Sequence, residues 1–216
     1  MTDVRSFYGR WARLYDALAS LPFVGSWRAR AVESLDLSAG DTVVEMGCGT
    51  GANVPSLRKQ VGPGGTVVGV DLTRGMLDRA GRHPDRAGDG VHYVQGDAAH
   101  PPIRDADAVL ATFVAGLFPD PEPVVDRWCD AVGPGGRIAL LNFQRSDATV
   151  ALPLNVVFEG FVRLSSPGSR LARDSQATAF ERRVRAARRR LTERTVDRRY
   201  ETLAGGYLGL LSGTVA

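Results

Sequence analysis

The stretch VVEMGCGTGAN at residues 43–53 decides the fold of this 216-residue chain. A short apolar run ends in an acidic residue, a turn with three glycines follows, and a helical pattern begins after it. Glycine reaches positive φ and lets the backbone approach a ligand without a Cβ in the way. Open α/β sheets build nucleotide-binding crevices from such a turn between a strand and a helix. The stretch therefore predicts a nucleotide-like ligand at the end of the first strand.

Apolar runs and helical patterns alternate on both sides of this turn. Strands are predicted at residues 42–46, 66–70, 91–95, 107–112 and 137–143, and helices at 53–61, 74–82 and 121–132. Strands that alternate with helices through short loops form a mainly parallel sheet with helices on both faces. The run at 107–112 is apolar throughout, as expected of a strand that is buried on both faces.

The two ends of the chain follow other patterns. Before the first strand, apolar residues at helical spacing predict helices at 4–18 and 27–35, with Pro22 as the interruption between them. After residue 143 we expect a helix at 150–164, a polar loop at 165–173, and an amphipathic helix that carries Phe180, Val184, Ala187 and Leu191. Segments 195–200 and 206–212 read as an antiparallel hairpin. The predicted fold is α/β, a Rossmann-like, doubly wound, seven-stranded and mainly parallel sheet that ends in this hairpin.

Composition indicates an ordinary globular protein. The chain is 44% hydrophobic and 24% charged, with a formal net charge of +3. Two cysteines, Cys48 and Cys129, are too few for a disulfide-stapled secreted fold. Charges at Asp3 and Arg5 interrupt any apolar signal-peptide core, and the longest apolar run, 108–118, is too short to span a bilayer. We therefore expect a cytoplasmic protein with one domain over residues 1–216.

The glycine turn alone leaves two nucleotide cofactors open. Residues 47–52 also fit the dinucleotide fingerprint G-x-G-x-x-A, and Asp71 lies at the expected distance for an NAD-dependent oxidoreductase. Other features argue against that class. They are Glu45 before the glycines, Gly51 in a G-x-G-x-G pattern, Asp97 after the third strand, and the Pro-Gly-Gly turn at 134–136.

With these motifs in this order, the chain resembles the class I S-adenosylmethionine-dependent methyltransferases over nearly its whole length. The resemblance implies that the glycines lie under the methionine part of the cofactor and that Asp71 takes both ribose hydroxyls. It also implies that Met76 packs on adenine and that Asp97 and Ala98 read the adenine amino edge. A carboxylate suits the ribose because it is an acceptor-only group and hydroxyls are donors. The full predicted cofactor-binding set is Glu45, Gly47, Cys48, Gly49, Thr50, Gly51, Asn53, Asp71, Leu72, Met76, Asp97, Ala98 and Thr112.

The same resemblance implies how the domain is organised and which residues lie near the methyl acceptor. It implies N-terminal lid helices at 1–38, a cofactor-binding core at 39–145, and C-terminal helices and a hairpin at 146–216. The blocks WARLYD at 11–16, VVGVDLTRGML at 67–77 and GGY at 205–207 are similar to the quinone C-methyltransferase and phosphatidylethanolamine N-methyltransferase branch. In that branch the lid covers the cofactor, so Tyr8, Trp11 and Tyr15 become candidates for the pocket wall, with plain core packing as the alternative.

Residues 112–118, TFVAGLF, are expected to border the transferred methyl group. They lack the Asn/Asp-Pro-Pro-Tyr/Phe tetrapeptide of enzymes that methylate amino groups of DNA and protein glutamine. They also depart from the Gly-Leu-Arg-Asn run of the quinone enzymes, because Phe118 follows Gly116-Leu117. This departure weakens the assignment to a quinone, and the apolar segment favours a lipid-like or hydrophobic small molecule. The predicted acceptor class is therefore a hydrophobic small molecule, a lipid headgroup or a quinone. An S-adenosylmethionine-binding regulator without catalysis is a further alternative.

The sequence assigns no catalytic residue and no metal ligands. His100 follows Asp97 closely and could act as a base, although a lone histidine is more often structural or solvated. No cluster of residues has metal-ligand spacing. The arginines at 182–199 lie on the wet face of an amphipathic helix. We interpret them first as a solvated face, next as a peripheral contact with anionic membrane lipid, and last as an RNA contact, so no nucleic-acid partner is expected. The oligomeric state is left open.

Overall fold

The computed structural model describes residues 22–144 and 173–216 as one α/β unit around a single sheet. The strands are β1 (Thr42–Met46), β2 (Thr66–Asp71), β3 (Val91–Gln95), β4 (Ala108–Thr112), β5 (Arg137–Phe143), β6 (Thr195–Leu203) and β7 (Leu208–Val215). The helices are α1 (Pro22–Glu33), α2 (Val54–Val61), α3 (Arg74–Arg82), α4 (Glu122–Val132) and α5 (Arg173–Arg194). Short 3₁₀ turns lie at Pro84–Arg86, Ala115–Leu117 and Ala204–Gly206.

The strand order is β3-β2-β1-β4-β5-β7-β6. Strands β1 to β5 are parallel, and β7 runs antiparallel to both β5 and β6. The predicted doubly wound sheet with a C-terminal antiparallel hairpin is confirmed. The order reverses between β1 and β4, and in open α/β sheets ligands bind at such a switch point, beyond the carboxyl ends of the strands. The glycine turn after β1 lies at this point.

Both faces of the sheet are covered, which gives the sheet two buried cores. Side chains of β5 alternate between them, so that Leu140 packs with Trp128 of α4 and Leu191 of α5 on one face. Leu141 packs on the other face, with Leu35 after α1 and Leu57 of α2 among its cluster. Every residue of β4 is buried, as its apolar sequence predicts for a central strand.

The N-terminal helix of the described range begins earlier than predicted. Helix α1 begins at Pro22, whereas the sequence pattern places its first residue at Trp27. Proline is tolerated in the first turn of a helix, where its missing N–H has no intrahelical partner in any case. Helix α5 begins at Arg173, and the strands of the hairpin end three residues later than predicted, at Leu203 and Val215.

Several predictions fall on residues 1–21 and 145–172, which lie outside the described residues. They are the first helix at 4–18, the helix at 150–164, the polar loop up to residue 172, and the aromatic residues Tyr8, Trp11 and Tyr15. Among the helices that are described, none has the length and apolar character needed to cross a bilayer.

Candidate functional site

The glycine turn after β1 has the backbone conformation that its sequence predicts. Gly47, Gly49 and Gly51 have φ values of 68°, 55° and 76°, in the region that favours glycine. A Cβ at Gly47 would lie 2.7 Å from Cγ2 of Val114, and one at Gly51 would lie 2.6 Å from the Tyr93 hydroxyl. Glycine is therefore required here for conformation and for space, and the turn stays close to the ends of β1 and β4.

Asp71 at the end of β2 holds the glycine turn. Its Oδ2 accepts from Gly49 N at 2.9 Å, and its Oδ1 accepts from Thr73 N at 2.8 Å. Burial raises the pKa of Asp71, and the backbone N–H groups of Thr73 and Gly49, together with the Thr73 side chain, oppose that shift. A carboxylate has about four acceptor sites, so Asp71 retains acceptor capacity for a further donor. Leu72 follows with 47% of its surface exposed, a large apolar side chain on the open side of the same edge.

Four polar side chains meet beneath the turn and form what we call the inner polar cluster: Arg28, Glu45, Asn53 and Thr112. Asn53 Nδ2 donates to Glu45 Oε1 at 2.6 Å and to Thr112 Oγ1 at 3.1 Å. Arg28 Nη1 lies 3.3 Å from both Asn53 Oδ1 and Thr112 Oγ1. All four residues are buried. The fold thus joins three predicted site residues, from β1, the turn and β4, with one that the sequence analysis missed.

Burial dominates the electrostatics of this cluster. Glu45 is fully buried, and the loss of hydration raises its pKa to about 7, while Arg28 and the hydrogen bond from Asn53 act in the opposite direction. Glu45 Oε2 and Arg28 Nε are buried without a hydrogen-bond partner. Native structures leave few such atoms unpaired, so the cluster has capacity for a ligand with both a donor and an acceptor.

Arg28 reaches the cluster from α1 and packs on an aromatic pair. Its guanidinium lies 5.3 Å from the ring centroid of Phe113, which stacks on Phe143 at 4.6 Å. Phe113 has a φ of 61°, a conformation that is rare for a bulky residue. One signal could have found Arg28: it is four and seven residues before Val32 and Leu35, on the apolar stripe of its helix.

Arg86 is a second residue that the sequence analysis missed. Its Nη1 donates to the carbonyl of Thr50 at 3.0 Å, and its own carbonyl accepts from the Tyr93 hydroxyl at 2.6 Å. Arg86 and Thr50 are both buried. Cys48, on the same turn, is a free and buried thiol whose pKa burial raises well above its usual range. These contacts fix the turn from its outer side, and the polar loop around Arg86 gave no sequence signal for them.

The predicted adenine-side residues lie beside the ends of β2 and β3. Gly96 N donates to the carbonyl of Asp71 at 3.0 Å, which ties the two strand ends together. Asp97 Oδ1 accepts from Ala99 N at 2.9 Å, and its Oδ2 lies 3.4 Å from Nδ1 of His100. The His100 side chain is 66% exposed.

Two other predicted residues of this region are buried. Met76 lies on α3 with 4% of its surface exposed, and Ala98 is 7% exposed. The carbonyl of Ala98 accepts from Trp128 Nε1 at 2.7 Å, which fixes the segment after β3 against α4. Within residues 22–144 and 173–216, no group of three or more His, Cys, Asp or Glu side chains could hold a metal ion.

The chain is similar in sequence to known methyltransferases. The family described as "Methyltransferase domain" matches residues 44–140, from β1 to β5. The demethylmenaquinone methyltransferase of Lactobacillus johnsonii is 33% identical over 64% of this chain and 60% of its own length. The nocamycin O-methyltransferase of Saccharothrix syringae is 35% identical over 62% of this chain and 48% of its own length. The chain thus spans about half the length of these curated relatives.

A solved structure has a similar fold. It is an S-adenosylmethionine-dependent methyltransferase of Thermotoga maritima, a possible histamine N-methyltransferase, with a TM-score of 0.64 and 17% identity. The alignment covers 98% of this chain and 99% of that chain. At this identity the likeness shows the fold alone. From the motif order, the strand order and these relatives together, the chain belongs to the class I S-adenosylmethionine-dependent methyltransferases, whose cofactor is, as predicted, S-adenosylmethionine.

Proposed function

We propose that this domain transfers a methyl group from S-adenosylmethionine to a hydrophobic small molecule, with a quinone or a lipid headgroup as the favoured acceptors. The observation that carries the proposal is the inner polar cluster, in which Glu45 Oε2 and Arg28 Nε are buried at the switch point without partners. A methionine end presents an ammonium group and a carboxylate, which match an acceptor and a cationic donor.

The methionine end of the cofactor would be held by the glycine turn and this cluster. Glu45 supplies an acceptor for the ammonium group, and Arg28 supplies a cation that faces the carboxylate. Asn53 and Thr112 keep these two side chains in place through their hydrogen bonds. Gly47 lets the turn lie close to Val114, because a Cβ at Gly47 would lie 2.7 Å from Val114 Cγ2.

The nucleoside end would lie along the ends of β2 and β3. Asp71 would accept from the ribose hydroxyls with the acceptor capacity that Gly49 and Thr73 leave on its carboxylate. Leu72 offers an exposed apolar surface to the adenine ring, and Asp97 offers an acceptor to its amino group. Met76 is buried, so it would support this surface from beneath.

When bound, the cofactor supplies a methyl group on an activated sulfonium. The chain's own residues then have to align the acceptor with that methyl group and exclude water, which can lower a barrier by several kcal/mol. Phe113 and Val114 are apolar and lie next to the cluster, where they would exclude water from the reacting atoms. No general base is assigned, and one is needed only if the acceptor must lose a proton.

The relatives support methyl transfer over the two alternatives. Both curated relatives named above are methyltransferases, and neither an NAD-dependent oxidoreductase nor a regulator without catalysis has comparable support. Their names refer to demethylmenaquinone and to nocamycin, which agrees with a small-molecule acceptor. A cytoplasmic location remains part of the proposal, and it suits the two free, buried cysteines.

Six of the arginines of α5 form two groups. Arg189, Arg190 and Arg194 form ion pairs with acidic residues of α4, as a solvated helix face would. The other group is Arg182, Arg183 and Arg185, which line a surface cavity of about 640 Å³ together with Asp120 and Glu122. We propose that this second group provides a peripheral contact with anionic membrane lipid, which would bring the enzyme to a lipid-soluble acceptor.

Labelled-methyl transfer tests the proposed function. Purified protein is incubated with S-adenosylmethionine that carries a labelled methyl group and with a bacterial extract separated into lipid, quinone, RNA and polar fractions. We expect label in the lipid or quinone fraction, and none with heat-inactivated protein. Label in the RNA fraction alone would overturn the acceptor class, and no label in any fraction would contradict methyl transfer.

A further inference from the structure

Buried polar atoms without a hydrogen-bond partner are concentrated at one corner of the described structure. Asn142 of β5 is fully buried, yet neither its Nδ2 nor its Oδ1 has a partner. The hydroxyl of Tyr207, a residue only 7% exposed, and Nε of Arg188 are also buried and unpaired. Native proteins pair nearly all such atoms, so a group of four calls for an explanation.

The sheet register brings these side chains into one neighbourhood. Asn142 is directly opposite Gly209 in the antiparallel β5–β7 pair, and Gln144 N donates to the carbonyl of Tyr207 at 2.8 Å. Arg188 of α5 donates from Nη1 to Gln144 Oε1 at 2.7 Å. Gly209 lets the Arg188 guanidinium lie close to β7, since a Cβ there would lie 2.8 Å from Arg188 Nη1. We call Asn142, Arg188 and Tyr207 the β5 corner.

The β5 corner lies beside the segment that is expected to border the transferred methyl group. Leu141 is paired with Thr112 across β4 and β5, so Asn142 is one residue beyond the strand partner of Thr112, which belongs to the inner polar cluster. Side chains alternate along β5, which directs Asn142 to the face that carries α4 and α5. The 3₁₀ turn Ala115–Leu117 packs on α5 at this same face, where Gly116 lies against Phe180.

We propose that Asn142 and Tyr207 form a subsite that recognises a hydroxyl or carbonyl oxygen of the methyl acceptor. The inference rests on the proposed function and adds the chemistry by which the acceptor is selected. The unpaired atoms are mainly donors, namely Asn142 Nδ2, the Tyr207 hydroxyl and Arg188 Nε, with Asn142 Oδ1 as the one dedicated acceptor. An oxygen substituent on a ring accepts from such donors, and a hydroxyl can also donate to Oδ1. A purely apolar acceptor would leave all four atoms unpaired, and a site of this kind rejects analogues without the oxygen.

Equilibrium dialysis with two matched probes tests the subsite. The probes are 1-naphthol and naphthalene, which share a ring system and differ by one hydroxyl group, and the protein is saturated with S-adenosylhomocysteine. For the wild-type protein we expect 1-naphthol to bind about tenfold more tightly than naphthalene, as one hydrogen bond of ordinary strength allows. The preference should fall to twofold or less in Asn142→Leu, while the affinity for S-adenosylhomocysteine stays unchanged.

Two further variants keep the test decisive. Tyr207→Phe removes only the unpaired hydroxyl, so it serves if Asn142→Leu does not fold, and we expect it to lose part of the same preference. Thr195→Val is the matched control, because Thr195 is also buried but its hydroxyl is paired with the carbonyl of Leu191 at 2.7 Å. Its preference for 1-naphthol should equal that of the wild type.

The melting temperature distinguishes the subsite from a structural role of Asn142, since loss of a structural residue would lower it. Asn142→Leu should keep or raise the melting temperature, because it replaces unpaired buried polar atoms with an apolar side chain. The subsite is wrong if wild-type protein in complex with S-adenosylhomocysteine shows no preference for 1-naphthol, or if the preference persists in both variants. Failure to bind S-adenosylhomocysteine at all would instead refute the proposed function, so the two failures are distinguishable.

Discussion

Two groups of charged side chains differ in their exposure to water. One is buried at the proposed cofactor site, and the other forms ion pairs at the surface. The inner polar cluster holds Glu45 fully buried at the switch point of the sheet. The second group, which we call the outer ion-pair network, joins α4 to α5 at the surface. In it, Asp126 Oδ1 accepts from Arg190 Nε at 2.8 Å and from Arg194 Nη1 at 2.7 Å, and Arg194 also binds Asp130.

The two groups shift the pKa of a carboxyl in opposite directions. Burial raises the pKa of Glu45 to about 7 because it outweighs the stabilising contacts from Arg28 and Asn53. Asp126 is mostly hydrated, so the burial that raises its pKa is outweighed by the hydrogen bonds from Arg190 and Arg194, and its pKa is lowered. Burial of the Glu45 carboxyl does not favour stability at neutral pH, so its position indicates a role in binding a ligand.

The largest expected effect follows from breaking the inner polar cluster with Asn53→Leu. The change removes the donor to Glu45 and an acceptor of Arg28, and leaves both buried groups without those partners. We expect the free energy of unfolding to fall by about 3 kcal/mol. Binding of S-adenosylhomocysteine should weaken by about 100-fold, the equivalent of two lost hydrogen bonds. Chemical denaturation and titration calorimetry measure the two effects.

Gln60→Leu is the control for that variant, because Gln60 lies on α2, the helix that Asn53 caps, and is only half-buried. Its unfolding free energy and its affinity for S-adenosylhomocysteine should stay close to the wild-type values. Normal cofactor affinity in Asn53→Leu would show that the cluster has no part in binding.

The next effect concerns the pH dependence of stability. The pKa of Glu45 is about 7 in the folded protein and about 4.3 when unfolded, so the folded state binds more protons between these values. Stability from this group is therefore greatest at low pH, decreases as pH rises to 7, and is constant above. Between pH 5 and pH 8 we expect a loss of about 3 kcal/mol that is absent in Glu45→Gln.

Urea denaturation of the wild type and of Glu45→Gln at several pH values measures this difference. Asp126 does not interfere, because its lowered pKa places its own loss of stability below pH 4, with the opposite sign. Parallel pH profiles for the two proteins would mean that Glu45 is ionised throughout and is not isolated from water.

The outer ion-pair network should give a smaller effect. Arg194→Gln removes two partly exposed ion pairs, to Asp126 and Asp130. Such pairs contribute about 1 kcal/mol or less and are screened by salt. We expect a loss of that size at low ionic strength, a smaller loss in 1 M NaCl, and no change in the affinity for S-adenosylhomocysteine. A decrease in the free energy of unfolding above about 2 kcal/mol would mean that this network contributes to stability as a buried cluster does, and would contradict the comparison.

The smallest effect on stability is expected at three arginines in the middle of α5. Replacing Arg182, Arg183 and Arg185 with Gln should change the unfolding free energy by less than about 0.5 kcal/mol, because none of the three has an ion pair among the described residues. Co-sedimentation with phosphatidylglycerol vesicles should fall about tenfold, and wild-type binding should weaken steeply as salt increases.

A second triple variant controls for net charge in that experiment. Lys59, Arg82 and Arg104 are distant in sequence from α5, and their replacement by Gln removes the same total charge. Vesicle binding should then stay near the wild-type level. Equal loss in both triple variants would indicate non-specific attraction, and binding to neutral phosphatidylcholine vesicles would argue against an anionic lipid contact.

The elements of the fold were predictable because local signals mark them. Apolar runs next to glycine turns gave β1, β3 and β5, and the segment 74–82 gave the helix α3, each with the bounds that the structure has. The start of α1 was not predicted, because proline either breaks a helix or opens one, and the surrounding residues do not decide which. Pairing of β7 between β5 and β6 depends on tertiary contacts.

The candidate site was predictable only for residues that lie together in one segment of the sequence. The positive φ values of the glycine turn follow from Gly47, Gly49 and Gly51 themselves. Arg28 is 84 residues from Thr112, and its contact depends on how α1 packs against β4. Asn142 appears in the sequence as one polar residue of a buried strand. That its amide is unpaired depends on the whole fold, so no motif reveals it.

Titration calorimetry of the wild-type protein with S-adenosylhomocysteine and, separately, with NAD tests the central claim most directly. The account predicts one site per chain for S-adenosylhomocysteine, with affinity in the micromolar range or better, and no detectable heat from NAD. Binding of NAD without binding of S-adenosylhomocysteine would contradict it, since the inner polar cluster and Asp71 would then serve a dinucleotide.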